Sequence, residues 1–306
     1  MKYIELDSHD IFQNLAAEEY ILHHFTDDTY LLLYRNDDAI VLGKYQNIYQ
    51  EINVPAVETA GIRIARRITG GGTVFHDNGN LNYSFIAEND KNRSVSYDDF
   101  LFPVIDALRA MGIEAEKRNV CDIAIGDYKI SGNAQCVCGN RVLHHGTLLF
   151  DTDMKKLHHL LTPTDAVLES KAVASVPSPV TNIREHLADS SMTMEEFQSA
   201  LLSHIFPSGI TRRELTGEDK KQILQLAEEK YCTWEWNCGK SPRFTLHRDN
   251  MNLSVEHGII TYCHIPFLSP EASKALSGQR YGYQNLLHVL SSFYRKDTES
   301  MVKKLF

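Results

Sequence analysis

Residues 10 to 25, DIFQNLAAEEYILHHF, set Ile11, Leu15, Tyr20 and Leu22 among the good helix formers Ala16, Ala17, Glu18 and Glu19, and the stretch predicts a helix. The pattern then shortens. YLLLY (30–34) and AIVLG (39–43) are brief apolar runs separated by the turn-like RNDD, which predicts a hairpin. TVF and LNYSFIA bracket HDNGN in the same way, with Gly79 as the permissive residue, and predict a second hairpin. Leu101, Val104, Leu108 and Met111 recur at three- and four-residue spacings and stop at Gly112, an amphipathic helix over 98–111 with a glycine end signal.

Strand character returns in VCDIAIGDYKISGNA, where Ile123 and Ile125 alternate ahead of a tight Gly-Asp turn and a short strand carries Lys129. VLHHGTLLF (142–150) predicts a further strand and MKKLHHLL a short helix. Thr193 and Glu196 form a capping box before MEEFQSALLSHIF, and EDKKQILQLAEEKY (218–231) is again helical. Gly239 and Pro242 interrupt WNCGKSPRF and mark a hinge. Beyond it, NMNLSVEHGIITYCHI reads as a hairpin turning at Gly258, and the last forty residues are helical. The order predicts an α+β fold: a mixed, mostly antiparallel sheet with packed helices over 1–243, then a small α+β domain over 244–306.

Composition narrows the class. The 306 residues are 43% hydrophobic and 23% charged, and no run approaches the ~18 apolar residues of a membrane span. MKYIELDSHD has no basic region followed by an apolar stretch, so the expectation is a cytosolic protein with its six cysteines reduced. Neither C-x-C at 136–138 nor C-x5-C at 232–238 has the spacing of a structural zinc site, and His23-His24 and His158-His159 point to different helix faces. A net charge of −9 argues against broad nucleic-acid binding. An anionic ligand must therefore meet a local patch, of which Arg63, Arg66 and Arg67, with Arg35 and Lys44 ahead of them, are the densest.

That patch leads into RRITGGGTVFHDNGNLNYSF (66–85). Three consecutive glycines cost roughly 0.5–1 kcal/mol each relative to alanine, so the bend points to close approach by a ligand. Without Cβ atoms, successive N–H groups can curl around an anion, and Arg66 and Arg67 bring charge that suits a phosphate or carboxylate. No GK[ST] follows Gly72 and the spacing is not G-x-G-x-x-G, so this is neither a Walker loop nor a dinucleotide fingerprint. Lys129 has the small residues Ser131, Gly132, Asn133 and Ala134 beside it, which leaves room for a ligand against its ammonium group. His144 and His145 alternate across their strand, so one of them faces inward.

The order RRITGGGTVFHDNGN, KISGNA, HHGTLLF, with NLAAEEYIL before it and SVPSPVTNI and TWEWNCGKSPRF after it, resembles the lipoate-protein ligase family, of the lipoate-protein ligase A type within the biotin/lipoate ligase superfamily. The resemblance implies a catalytic domain shared with biotin ligases and a two-step reaction. Lipoate (or octanoate) and ATP give an acyl-AMP and pyrophosphate, and the acyl group then passes to a lysine of a lipoyl carrier domain. The implied carriers are 2-oxoacid dehydrogenase E2 subunits and the glycine cleavage H protein, with no nucleic acid or membrane involved.

By the same resemblance Lys129 contacts both the lipoyl carbonyl and the adenylate phosphate and is the catalytic residue. Arg67, Gly71, Gly72, Thr73, Val74, Phe75 and His76 hold the nucleotide and intermediate, joined by Gly132, Ala134 and His145. Asp122 matches an acidic position near a Mg2+ ion. The lipoate pocket takes Tyr34, Arg67, Gly72 and His145, with Tyr34 standing where relatives commonly carry tryptophan.

The chain also departs from the family. RNVCD is two residues longer than the usual RND, which shifts Asn119 against Asp122, and Pro177 and Pro179 stand where the family often has arginines. The C-terminal hairpin is about ten residues shorter than usual. Cys121 opens an alternative, an ATP-independent octanoyl or lipoyl transferase with a thioester on that cysteine, activated by Lys129. A non-catalytic binder of lipoate or of a carrier domain is the other; the intact GGG, Lys129 and His145 speak against it.

Overall fold

The computed structural model describes residues 1–89, 95–163, 167–248 and 250–306, with the backbone alone at Val167. In chain order its elements are β1 (Lys2–Glu5), α1 (Ile11–His24), β2 (Tyr30–Tyr34), β3 (Ala39–Leu42), α2 (Val54–Thr59), β4 (Arg63–Arg66), β5 (Val74–His76), β6 (Asn80–Glu88), α3 (Asp98–Ala110), β7 (Ala115–Arg118), β8 (Asp122–Ile125), β9 (Tyr128–Cys138) and β10 (Arg141–Leu149). There follow α4 (Met154–Leu160), β11 (Val167–Ser170), α5 (Met194–Ile205), α6 (Gly217–Leu226), β12 (Phe244–Arg248), β13 (Met251–Glu256), β14 (Ile259–His264), α7 (Pro270–Leu276), α8 (Tyr283–Ser291) and α9 (Thr298–Lys303).

Among the described residues the strands form three sheets: β1-β2-β6-β10-β9-β8-β7, β4-β3-β5 and β11-β12-β13-β14. Only the β1–β2 and β3–β4 pairs are parallel, so the α+β, mixed and mostly antiparallel expectation holds.

Helix α1 lies between the first two sheets. Ile21 and Leu22 pack with Leu32, Ile86 and Leu143 of the large sheet, while Leu15, Ala16 and Ala17 pack with Ala39, Val41 and Ala65 of the small one. A helix with two apolar faces needs two partners, and each large apolar side chain buried this way contributes about 1.5–3 kcal/mol. Asp10 caps its start, its carboxylate accepting from the Phe12 N–H at 2.8 Å. On the other side of the large sheet, Leu101, Val104 and Leu108 of α3 and Phe197 and Leu201 of α5 close a second core. Every residue of β10 is buried in consequence. His144 and His145 are both inside, His144 stacked 4.9 Å from Phe100 and His145 facing α1, because both faces of their strand are covered. The capping box at Thr193 and Glu196 is present.

Both N-terminal hairpins expected from the sequence are absent. β2 pairs with β1 and β6, whereas β3 pairs with β4 and β5, so RNDD is a corner between sheets. Asn36 in that corner is fully buried and accepts from Asn14 Nδ2 at 2.8 Å, a fixed role that no exposed turn residue has. HDNGN is likewise a passage from β5 to β6 in different sheets, and Gly79 is small because a Cβ there would collide with the Asp151 carbonyl. Two uniformly buried runs close in sequence are equally compatible with one sheet or two. The strand carrying Lys129 is long rather than short, since β9 runs to Cys138 along β10.

The segment marked as a hinge is clamped. Arg66, fully buried, donates from Nε and Nη2 to the Asn237 carbonyl at 3.1 and 2.9 Å and from Nη2 to Ser241 Oγ at 3.1 Å. Its Nη1 reaches the Gly43 and Gln46 carbonyls at 3.0 and 2.8 Å. Trp236 Nε1 returns a bond to the Arg66 carbonyl at 2.7 Å. After the clamp, β12–β14 and α7–α9 share a core with Ile40, Ile48 and Tyr49, and Tyr49 lies against Phe244 and Tyr281 at 5.1 and 4.8 Å. The β13–β14 hairpin turns at His257 and Gly258, both in the left-handed region.

Candidate functional site

A cavity of about 690 Å3 opens between the α1-facing side of the large sheet, the glycine bend and the segment 173–178. Its floor is a row of side chains on neighbouring strands: Tyr34 of β2 opposite Asn82 of β6, and Asn82 opposite Thr147 of β10. Thr147 Oγ1 accepts from the Gly132 N–H of β9 at 3.4 Å. Three strand spacings make this row ~14 Å long. Lys129 stands at the β9 end, where a Cβ on Gly132 would come within 2.9 Å of its Nζ; glycine leaves that space open. Lys129 Nζ pairs with Asp122 Oδ1 at 2.7 Å, and Asn119 Nδ2 donates to Asp122 Oδ2 at 3.2 Å. Asn119 adopts φ 54°, so the longer RNVCD loop still delivers its amide to the carboxylate.

The glycine bend is held from beneath by Arg67. Its Nη2 donates to the Gly70 and Gly72 carbonyls, each at 2.7 Å, its Nη1 to the Val41 carbonyl at 3.1 Å and its Nε to Thr69 Oγ1 at 3.0 Å. Burial lowers this guanidinium to about 10, still fully charged near neutrality. Gly71 has φ +88°, and a Cβ there would lie 2.9 Å from Arg67 Nη2, so both conformation and space demand glycine. Arg66, expected beside Arg67 as an anion donor, spends its donors on backbone carbonyls and the Ser241 hydroxyl, because alternation at the end of β4 turns it the other way.

His145 forms the centre of the wall. Its Nδ1 is 2.9 Å from Glu18 Oε2 and its Nε2 2.7 Å from Thr69 Oγ1. Glu18, 1% exposed, also accepts from Tyr34 Oη at 2.7 Å and from Ser84 Oγ. Burial alone would raise the Glu18 carboxyl, but the His145 charge and hydrogen bond, with the two hydroxyls, outweigh it and hold it below 4.5. The chain Arg67–Thr69–His145–Glu18–Tyr34 thus ties the glycine bend to the Tyr34 end of the floor.

Twelve of the expected residues line the cavity: Tyr34, Arg67, Gly71, Gly72, Thr73, Val74, His76, Asp122, Lys129, Gly132, Ala134 and His145. Phe75 does not. It is 1% exposed in the core shared with the C-terminal segment, since β5 turns Val74 and His76 to one side and Phe75 to the other. Cys121 lines the cavity, but burial first and the Asp122 charge second push its thiol above 9.0, while the cation meant to activate it is paired with Asp122. The thiolate a transferase needs is disfavoured there.

Sequence reasoning missed Glu18 and Thr69. The available signal was a polar pair, Asn14 and Glu18, four residues apart among the otherwise apolar buried residues of the helix. In the sequence, the segment 173–178 stands out only through the SVPSPVTNI resemblance and its prolines. It forms a strap: Ser175 Oγ accepts from the Thr73 N–H at 2.9 Å and from Gln46 Nε2 at 3.0 Å, and the Pro179 carbonyl accepts the Lys129 N–H at 2.9 Å. Pro177 lines the cavity, contributing no donor.

Residues 10–206 match the model of the lipoyl protein ligase A/B catalytic domain. The chain is 42% identical over 265 residues to the lipoate-protein ligase LplJ of Bacillus subtilis strain 168, covering 82% of this chain and 80% of that one. Two solved structures are similar at 25% identity. One, of a bi-partite lipoate protein ligase and its E2 lipoyl domain from Thermoplasma acidophilum, has a TM-score of 0.68 and covers 81% of this chain and 98% of that one. The other, lipoate-protein ligase A bound with ATP, has a TM-score of 0.63 and covers 78% and 98%.

Proposed function

The chain belongs to the lipoate-protein ligase family, and from that premise we propose how its cavity activates lipoate with ATP and hands the lipoyl group to a carrier lysine. It is an ATP-dependent lipoate-protein ligase. The observation that carries the site assignment is one continuous cavity with Lys129 at one end, the glycine bend along its side and the less polar Tyr34 end opposite.

Lipoate enters tail first, its carboxylate stopping at Lys129. Adenylation brings that carboxylate against the α-phosphate, two anions that repel. The Lys129 ammonium between them offsets the repulsion and stays in place as charge builds in the transition state. The backbone of Gly71 and Gly72 offers N–H groups to the phosphates without an intervening Cβ, with Arg67 fixing the bend from behind. Lipoyl-AMP and pyrophosphate result. In the second step the carrier's ε-amino group attacks the acyl carbon, AMP leaves, and Lys129 again holds the oxygens that gain charge.

The family implies a magnesium ion, which would neutralise phosphate charge. Among the described residues no cluster of three or more His, Cys, Asp and Glu side chains makes a protein cage, but Asp122 fits the habit of this ion, which takes one or two carboxylates and completes its shell with phosphates and water.

We place the catalytic domain at 1–243 and the accessory domain at 244–306, with lipoyl domains of E2 subunits and the H protein as carriers. Such carriers are met at the mouth, where Val120, Val173 and Val176 are exposed near Arg118. We assign the protein to the cytosol, a reading supported by six free cysteines. No described helix is long and apolar enough to cross a membrane.

The test is pyrophosphate release from ATP and lipoate, followed by lipoyl transfer to an apo carrier domain. Lys129→Ala should lower kcat by roughly 10²–10³-fold, as loss of one oxyanion donor does. Full activity in that variant would refute the assignment of Lys129.

A further inference from the structure

One buried polar atom on the cavity wall has no partner. Of the buried side-chain nitrogens and oxygens left unpaired among the described residues, only His76 Nε2 belongs to a residue lining the cavity. His76 is 4% exposed. Its protonation follows from its neighbours. Asn14 Nδ2 donates to the Ser8 carbonyl at 2.8 Å and to Asn36 Oδ1 at 2.8 Å, which makes Asn36 Oδ1 an acceptor and leaves Asn36 Nδ2 to donate to His76 Nδ1 at 2.9 Å. A ring whose Nδ1 accepts carries its proton on Nε2. Burial lowers the ring to about 3, so it is neutral and its Nε2–H is a fixed, unanswered donor.

Its position in the cavity is set as well. Asn36, which holds His76, lies two residues beyond Tyr34, and Tyr34 ends the floor row ~14 Å from the β9 strand that carries Lys129. Leu15, Val41 and Val74 supply the apolar walls. On the ligase reading, on which this inference rests, a carboxylate at Lys129 sends its tail to that end. The only heteroatoms in the tail are the two sulfurs of the dithiolane ring, and divalent sulfur is a weak acceptor.

We propose that His76 Nε2–H donates a hydrogen bond to a dithiolane sulfur of the bound lipoyl group and is a specificity-determining residue for lipoate over straight-chain acids. A straight-chain acid puts methylenes at the same place. It strips water from the Nε2–H and returns no acceptor, and a buried donor left unpaired is penalised more than a made bond is rewarded. Sites that hydrogen-bond a substrate group reject the analogue lacking it for this reason.

The test uses the full chain and two acids, lipoate and octanoate, with kcat/KM for pyrophosphate release measured on the same preparations of wild type, His76→Phe and His76→Gln. Phenylalanine fills the space without a donor; glutamine returns an amide N–H near the Nε2 position. The lipoate-to-octanoate ratio should fall about tenfold in His76→Phe and return to within about threefold of wild type in His76→Gln. Because each ratio comes from one preparation, it is independent of the folded fraction. A His76→Phe ratio within about twofold of wild type, or a His76→Gln ratio as low as that of His76→Phe, overturns the proposal. Pyrophosphate release with neither acid in the wild type overturns the ligase reading itself, and is distinguished by appearing before any variant is compared.

Discussion

Glu18→Gln probes the interior of the site while keeping its shape. The carboxylate has three neighbours that donate to it, Tyr34 Oη, Ser84 Oγ and His145 Nδ1, and it is almost completely buried. A glutamine oxygen can take two of these. The amide nitrogen then faces the third donor, so one charge-assisted hydrogen bond is lost and one donor-donor contact is made. At about 1.5–3 kcal/mol for a bond to a charged group, the cost is about 2–3 kcal/mol, below the ~3–5 kcal/mol of removing one partner of a buried pair outright because the glutamine oxygen still takes two of the three donors.

For a chain of this size that corresponds to roughly 3–5 °C in Tm, read by calorimetry at neutral pH. The pH dependence has a definite sign. The Glu18 carboxyl lies below 4.5 in the folded protein, so its contribution is fully present above about pH 4.5 and is lost as pH falls through the folded value. The gap between wild type and Glu18→Gln should therefore be constant from neutral pH down to about 4.5 and narrow below it. The lipoate KM should rise several-fold in parallel, roughly the effect of ~1 kcal/mol of lost orientation of His145 and Tyr34. A Tm and a lipoate KM both equal to wild type would refute this account of the wall.

Arg66→Met should destabilise by about 3–5 kcal/mol in urea unfolding, because the Gly43, Gln46 and Asn237 carbonyls lose a buried charged donor together and the 236–241 segment loses its clamp. Cys121→Ser should retain ATP-dependent lipoyl transfer within about threefold, since the half-buried thiol is pushed up and held protonated; transfer abolished in this variant, with ATP dispensable in the wild type, would revive the thioester mechanism.

The glycine bend, the lysine strand and the histidine strand were legible because each is a local departure from ordinary composition. Three glycines, a lysine among small residues and a histidine pair are visible at a distance of a few residues. Glu18 was not legible in that way. Its role comes from His145, Ser84 and Tyr34, which are contributed by three strands of the sheet beneath α1.

Arg66 and Arg67 carry the same contrast within two adjacent positions. Both are guanidinium groups in one basic run; one became a structural clamp and the other the support of the bend. The sequence by itself determined the longer helices, the Thr193 capping box and most strand positions, because these depend on spacings of a few residues and on side-chain chemistry. Only the tertiary structure decided which strands share a sheet, which face of each strand looks into the cavity and which polar groups are left without a partner. Those outcomes depend on what packs above and below each strand, and that neighbour is contributed by another element, from 16 to 127 residues away for the groups around Glu18.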